Sequence, residues 1–266
     1  MAELKLTQIW IFPIKSLGGI SLPTAKVFEK GLQYDRRWML VDEEGKFMTQ
    51  RVHPRMALFK LSLDKDQLIV THLKSVLRLS LERKTFSNPM QVTIWNDTVS
   101  ACEVDPFYSK WFSDLLGITC KLVYFPEENA RPVDPAFKVN DEHVSLADAY
   151  PFLIIGQSSL DDLNSRLKEQ LPINRFRPNF VFTGGDPYEE DLWRNFTIGS
   201  TRFVGVKQCA RCAIPTINQD TAEKGIEPLK TLATYRKRDN KIYFGQNLVT
   251  LDPHQNVSVG DIISLQ

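Results

Sequence analysis

Short stretches in which apolar and polar side chains alternate recur along the first 103 residues, and turn residues separate them. Examples are 61–63, 67–70 and 92–95, the last of which turns through Asn96 and Asp97 into a returning stretch. Alternation places successive side chains on opposite faces of a β-strand, and a turn between two such strands makes a hairpin. The pattern therefore predicts β-hairpins that form a small barrel or sandwich.

The second half of the chain combines similar strands with a few helices. Asp105 and Pro106 suit the N-cap and the first position of a helix. A continuous apolar stretch at 152–155 is typical of a buried strand, and 203–206 predicts another one. We therefore predict a mainly β protein with a few helices (α+β).

Length and composition narrow the class of protein. A chain of 266 residues can form two domains, which we place at 1–103 and 104–266. Lysine and arginine number 33 against 32 acidic residues, which argues against nucleic acid or a membrane surface as a partner. No apolar run reaches the ~20 residues that a membrane span needs, and the first residues do not resemble a signal peptide. Four cysteines are too few to suggest a disulfide framework in a chain of this length. We expect a cytoplasmic protein with no nucleic-acid partner and no membrane span.

The strongest chemical signal is a pair of cysteines three positions apart, Cys209 and Cys212, with Arg211 between them. Nearby positive charge favours the thiolate, which is the form that attacks, exchanges disulfides or binds a soft metal. The pair also fits two buried structural cysteines, because unpaired cysteine is among the most buried residue types.

Two other kinds of cysteine site, a structural zinc site and a thioredoxin-type dithiol, do not match this motif well. A structural zinc site needs a second ligand pair, and neither Cys102 and Cys120 nor the four histidines provide one at comparable spacing. A thioredoxin-type pair begins a helix, whereas Pro215 and β-branched Thr216 follow here. The remaining interpretation is one thiolate that binds a single soft centre, with a cofactor supplying the other ligands. We interpret Cys102 and Cys120 as structural.

Basic side chains also stand in loops that are far apart in the sequence. Lys15 and Ser16 precede two glycines in a turn that could bind a phosphate. Arg177 lies just before an apolar strand, where it can reach a ligand. Each signal is weak alone, since lysines are common on surface turns and Arg36 could simply pair with its neighbour Asp35.

Five segments together resemble a known family. In chain order they are Pro-Ile-Lys-Ser at 13–16, Asp-Arg-Arg-Trp at 35–38, Asn-Arg-Phe-Arg-Pro-Asn at 174–179, Cys-Ala-Arg-Cys at 209–212 and Phe-Gly-Gln-Asn at 244–247. They are similar to the motifs of MOSC-domain molybdoenzymes, in the branch of the mitochondrial amidoxime-reducing component and bacterial reductases of N-hydroxylated compounds. The resemblance implies an N-terminal β-barrel-like MOSC domain packed on a MOSC β-barrel domain.

The resemblance also implies a cofactor and its site. A pyranopterin molybdenum cofactor (molybdopterin) would lie between the two domains, with Cys212 as the catalytic residue and the metal ligand. A soft thiolate suits a metal that dithiolene sulfurs already hold. The positions that match the family's cofactor-binding residues are Lys15, Ser16, Arg36, Arg177, Asn179, Arg211 and Asn247. Four of them are cations, as expected around the cofactor's phosphate.

Cys209 has a different predicted role. Residues three apart in a strand point to opposite faces, so we expect Cys209 to pack toward the core and not to ligate the metal. The alternative is a turn at Ala210 and Arg211 that brings both sulfurs together, as in a dithiol or half a zinc site. The chain also departs from the family, with Ala210 where serine is common and Ala149-Tyr150 where mitochondrial members carry Thr-Ser.

The implied activity is that of a molybdenum-dependent oxidoreductase. It would detoxify hydroxylamines, amidoximes and N-hydroxylated bases by removing the N-bound oxygen at molybdenum(IV). A separate donor protein of the ferredoxin, flavin reductase or cytochrome type would supply electrons, because the sequence contains no ferredoxin domain. The alternative is a non-catalytic carrier of the cofactor or of its sulfur, because MOSC domains also resemble the C-terminal part of molybdenum-cofactor sulfurases.

Overall fold

The computed structural model describes residues 3–82 and 89–266, so Met1, Ala2 and residues 83–88 of the predicted N-terminal domain lie outside the described residues. Strands predominate in the described ranges, which confirms the predicted fold class. The strands are β1 (Lys5–Ile11), β2 (Ile20–Leu22), β3 (Thr24–Phe28), β4 (Gly31–Leu32), β5 (Trp38–Val41), β6 (Lys60–Asp64), β7 (Gln67–His72), β8 (Ser75–Ser80), β9 (Pro89–Ile94), β10 (Asp97–Glu103), β11 (Lys121–Tyr124), β12 (Phe152–Gly156), β13 (Phe180–Thr183), β14 (Asn195–Ile198), β15 (Thr201–Ala210), β16 (Lys237–Arg238), β17 (Lys241–Thr250), β18 (Asn256–Ser258) and β19 (Ile263–Leu265).

Helices are few and short. The α-helices are α1 (Pro106–Leu116), α2 (Gln157–Ser165) and α3 (Leu229–Ala233). The 3-10 helices are η1 (Pro54–Leu58), η2 (Ile173–Phe176), η3 (Glu189–Leu192) and η4 (Ile214–Thr216). Among the helices in residues 3–82 and 89–266, none has the length and apolar character that crossing a membrane requires.

The largest sheet contains strands from both halves of the chain. Its order is β19-β14-β15-β17-β12-β13-β1-β2, and β16 pairs with β17 at its side. β1 pairs antiparallel with β13, and β13 pairs parallel with β12. β1 is therefore paired with a strand, β13, that comes after more than half of the sequence.

Within the described ranges, three smaller sheets accompany the large one, with orders β5-β11-β10-β9, β18-β3-β4 and β6-β7-β8. Two of them also mix early and late strands, since β11 joins β5 and β10, and β18 joins β3. The boundary between residues 103 and 104 stays a prediction.

The α1 helix has the end signals that the sequence contains. The side chain of Asp105 accepts a hydrogen bond from the backbone N–H of Phe107 at 2.9 Å, and Pro106 occupies the first turn. Gly117 ends the helix in the left-handed conformation, with φ 71°. The helix buries Phe112 in the main hydrophobic core.

Aromatic side chains support the middle of the large sheet. Phe152 and Phe180 stack with ring centroids 5.7 Å apart, and Phe203 meets both rings edge-on at 5.5 and 5.4 Å. All three side chains are almost completely buried. Such close packing tolerates little volume change, so it fixes the strands whose ends border the site.

Candidate functional site

One cleft of about 810 Å³ contains all eight predicted site residues, namely Lys15, Ser16, Arg36, Arg177, Asn179, Arg211, Cys212 and Asn247. They come from the loop after β1, the loop before β5, the segment between η2 and β13, the end of β15, and β17. β15, β17, β12, β13 and β1 are neighbours in the large sheet. Residues that are distant in sequence are therefore brought to one place by strand order.

Three of these residues have an unusual backbone. Ser16, Arg36 and Arg177 have φ values of 65°, 50° and 56°, in the left-handed region. Residues other than glycine adopt this region rarely, at a cost of order 1–3 kcal/mol, and such residues cluster at functional sites. The surrounding structure must therefore hold these three side chains in place.

Two arginines flank the ring of Phe12. The guanidinium carbons of Arg36 and Arg177 lie 4.5 and 4.1 Å from its ring centroid. Arg177 is buried and donates a hydrogen bond to the backbone oxygen of Leu17 at 2.6 Å. Burial lowers the pKa of Arg177, and the positive charge of Arg36 lowers it further. The two cations thus repel each other, and an anion in the cleft would relieve that repulsion.

Arg36 also forms an ion pair with its neighbour in the chain, Asp35. Its Nη1 donates to Asp35 Oδ2 at 2.5 Å and to Asn179 Oδ1 at 3.3 Å, while its Nη2 donates to a backbone oxygen. The Asn179 amide makes four hydrogen bonds, two as acceptor and two as donor, which is the most that an amide can make. Asn179 therefore orients Arg36 and has no side-chain N–H left for a ligand.

Lys15 is buried at the floor of the cleft beside a carboxylate that the sequence did not identify. Its Nζ donates to the backbone oxygen of Leu146 at 2.8 Å and to Asp148 Oδ1 at 2.6 Å. Burial lowers the pKa of Lys15 to about 8, and the charge of Asp148 offsets this only in part. Burial would raise the pKa of Asp148, but the ion pair with Lys15 holds it well below the usual range. Two of the three ammonium N–H groups are thus used, which leaves the third for a ligand.

The two cysteines of the motif have different arginine neighbours. Arg51 Nη1 lies 3.6 Å from the Sγ of Cys212, whereas Arg211 Nη1 donates to the Sγ of Cys209 at 3.1 Å. Burial raises the pKa of Cys209 despite the adjacent charge of Arg211. Arg211 acts in the expected direction, since its charge and its hydrogen bond lower the pKa of Cys209, but desolvation outweighs both and the thiol is less acidic overall.

The predicted core position of Cys209 is only partly correct. Cys209 packs against the hydrophobic cluster that includes Phe176 and Phe244, but it also lines the cleft. The pairing of β15 with β17 shifts register between Gln208 and Ala210. Such an irregularity interrupts the alternation of side chains, so the two cysteines do not separate cleanly onto opposite faces. Cys102 and Cys120 are buried away from the cleft, as predicted.

Sequence reasoning missed several residues of the cleft. Trp95, Asp148 and Arg131 line it, and Tyr150, noted only as a departure from the family, lines it as well. The Tyr150 hydroxyl and the Arg211 Nε are buried and have no hydrogen-bond partner within residues 3–82 and 89–266. Burial also raises the pKa of Tyr150, so its hydroxyl keeps its proton. Unpaired buried donors in a cleft are expected where a polar ligand completes the structure.

Two domain families match the chain in succession. The MOSC N-terminal beta barrel domain family matches residues 3–119, and the MOSC domain family matches residues 141–264.

Named relatives agree with these matches. Mitochondrial amidoxime-reducing component 1 is 33% identical in Mus musculus and 32% identical in Homo sapiens, each over 98% of this chain and 82% of its own length. Molybdenum cofactor sulfurase from Oryza sativa subsp. japonica is 31% identical over 92% of this chain, which spans only 32% of the sulfurase. The chain therefore belongs to the MOSC-domain family that includes the mitochondrial amidoxime-reducing components.

Proposed function

We propose that this chain is a molybdenum-cofactor-dependent oxidoreductase that reduces hydroxylamines, amidoximes and N-hydroxylated bases. The observation that carries the proposal is that the four predicted cations and the Cys212 thiol, from separate segments, line one cleft. Clustered cations suit a phosphate, and a thiolate suits a soft metal. The molybdenum cofactor has both groups, and the names of the relatives refer to this cofactor or to amidoxime reduction.

The residues of the cleft fit this cofactor. Arg36 and Arg177 would bind its phosphate, since a planar guanidinium matches phosphate geometry with two parallel hydrogen bonds. The third N–H of Lys15 and the unpaired Nε of Arg211 are further donors for the same anionic ligand. Cys212 would be the protein's ligand to the metal. Asn179 supports the site through Arg36 instead of by direct contact.

The reaction adds two electrons and two protons to a substrate R–NHOH and yields R–NH₂ and water. The bound cofactor supplies the two-electron chemistry, and a separate ferredoxin, flavin or cytochrome protein would provide the electrons. The chain's own residues bind and orient. The carboxylate of Asp148, which stays charged beside Lys15, offers an acceptor for the N–H groups of an amidoxime or hydroxylamine in the cleft.

A second candidate is a carrier of the cofactor or of its sulfur, without turnover of its own. It is favoured by the sulfurase relative, which matches 92% of this chain. In that case the purified protein would bind the cofactor but leave N-hydroxylated compounds unchanged.

The test measures molybdenum and pterin content, followed by oxidation of a reduced viologen dye with hydroxylamine or benzamidoxime as the acceptor. We expect stoichiometric cofactor and dye oxidation in the unmodified protein. Cys212→Ser should lose both molybdenum and activity, while the matched control Cys120→Ser keeps both, because Cys120 is buried outside the cleft. Bound cofactor without dye oxidation would favour the carrier, and full activity in metal-loaded Cys212→Ser would remove the ligand assignment.

A further inference from the structure

Trp95 is a large apolar side chain at the edge of the cleft. It lies in the turn between β9 and β10, lines the cleft and is 45% exposed. Its φ of 57° lies in the left-handed region, which bulky residues adopt only rarely. An exposed tryptophan in an unfavourable backbone conformation calls for contacts that hold it there.

Three contacts fix the indole. The guanidinium carbon of Arg51 lies 4.3 Å from the Trp95 ring centroid, and the Phe47 ring centroid lies 5.2 Å away. The indole Nε1 donates to Asp148 Oδ1 at 3.2 Å, and Asp148 is itself paired with Lys15. The exposed part of the ring is therefore held in one orientation beside the predicted cofactor-binding residues.

Arg51 connects this ring to the predicted metal ligand. The same guanidinium that stacks on Trp95 places its Nη1 3.6 Å from the Sγ of Cys212. One planar group thus separates the thiol from the indole. The remaining atoms of a substrate that reacts next to Cys212 and is larger than hydroxylamine can therefore reach Trp95, which lines the same cleft.

We propose that Trp95 is a specificity-determining residue that favours N-hydroxylated substrates whose reacting nitrogen is conjugated to a planar ring. This inference rests on the proposed function. An aromatic ring provides a broad flat surface on which a conjugated substrate stacks in an offset or edge-to-face arrangement. Hydroxylamine has no group that can use this surface. The ratio of kcat/KM for benzamidoxime to that for hydroxylamine therefore reports the contribution of Trp95.

The experiment compares Trp95→Leu and Trp95→Phe with the unmodified, cofactor-loaded protein. Leucine keeps apolar bulk but has no aromatic face, so we expect the ratio to fall about three- to tenfold. Phenylalanine restores an aromatic face, and the ratio should return to within about twofold. The matched control is Leu73→Ala, because Leu73 is 84% exposed, has a φ of 54° and lies in another hairpin turn outside the cleft. It should leave the ratio unchanged.

A second measurement needs no variant. Benzamidine has a planar ring but no N–O bond, so it can bind without being reduced. It should inhibit hydroxylamine reduction at least threefold more strongly than acetamidine, which has no ring. An unchanged ratio in Trp95→Leu, or equal inhibition by the two amidines, would overturn the role of Trp95 and leave the reductase proposal intact. Absence of turnover with both substrates in the unmodified protein would instead refute the proposed function.

Discussion

A buried carboxyl group in η3, which contacts the start of α2, gives a quantitative test of the structure. Glu190 is fully buried and accepts hydrogen bonds from the backbone N–H of Gly156 at 3.1 Å and from the Ser159 hydroxyl at 2.9 Å. Burial raises the pKa of Glu190 from its ordinary 4.5 to about 7, and these hydrogen bonds oppose the shift only in part. The folded protein therefore holds this proton more tightly than the unfolded chain does.

The raised pKa of Glu190 makes the free energy of unfolding depend on pH. Below about pH 4.5 both states carry the proton, and the raised pKa has no cost. As the pH rises toward 7 the unfolded chain loses the proton first, and the free energy of unfolding decreases until the folded protein also ionises. Each pKa unit corresponds to 1.36 kcal/mol, so the shift costs roughly 3 kcal/mol above pH 7.

Glu190→Gln replaces the ionisable carboxyl group with a neutral amide of nearly the same shape. The amide oxygen can accept from Gly156, and the amide nitrogen can donate to the Ser159 hydroxyl. At pH 8 we expect the variant to be more stable than the unmodified protein by up to about 3 kcal/mol, with almost no difference at pH 4.5. Urea unfolding at pH 4.5, 6 and 8 measures this difference, and Glu189→Gln controls for the loss of a neighbouring, partly exposed charge.

Either of two results would refute this reasoning. If Glu190→Gln were less stable than the unmodified protein at pH 8, the carboxylate would be satisfied by its hydrogen bonds and burial would not dominate. The same conclusion would follow if both proteins lost stability equally between pH 4.5 and 8.

Three further substitutions test the site and the fold. Cys209→Ala should retain molybdenum, and a metal loss equal to that of Cys212→Ser would show that both thiols are ligands. Arg177→Met should weaken pterin retention about ten- to hundredfold with little change in the melting temperature of the cofactor-free protein, because the loss of the hydrogen bond to Leu17 is offset by removal of a buried cation that Arg36 repels. Asp105→Ala should cost about 1 kcal/mol in urea unfolding through the lost α1 cap, and an unchanged midpoint would contradict this.

Local signals predicted α1 well and α2 less well. The cap and stop residues of α1 act within a few positions of one another, so the sequence alone contained them. In the sequence, Ser158 and Asp161 resemble a capping box that would start a helix over 160–168, whereas α2 is Gln157–Ser165 with Gly156 at its N-cap. Ser159 there bonds to Glu190, which is 31 positions away. A partner so distant leaves no local pattern.

The same limit applies to the cleft. The motif positions could be identified through resemblance, and the structure brings them together. Arg51 and Cys212, by contrast, are 161 positions apart, and nothing around Arg51 in the sequence points to a thiol. Asp148 and Trp95 become neighbours of the site only through hydrogen bonds to Lys15 and to each other. The burial of Cys209, which raises its pKa by more than Arg211 lowers it, is likewise a property of the folded chain.

The place of β1 in the large sheet has a consequence for how the protein is made. β1 leaves the ribosome long before its partner β13. The Thr7 hydroxyl in β1 donates a hydrogen bond to the backbone oxygen of Val181 in β13, which lies 174 positions later in the chain. At about 5–20 residues per second, translation separates these two strands by roughly ten to thirty seconds. During that interval, of its two partner strands only β2 is available, and the edge of β1 that later pairs with β13 stays open. If Arg177 and Cys212 hold the cofactor as proposed, its insertion must wait until both residues have emerged, late in synthesis or after release from the ribosome.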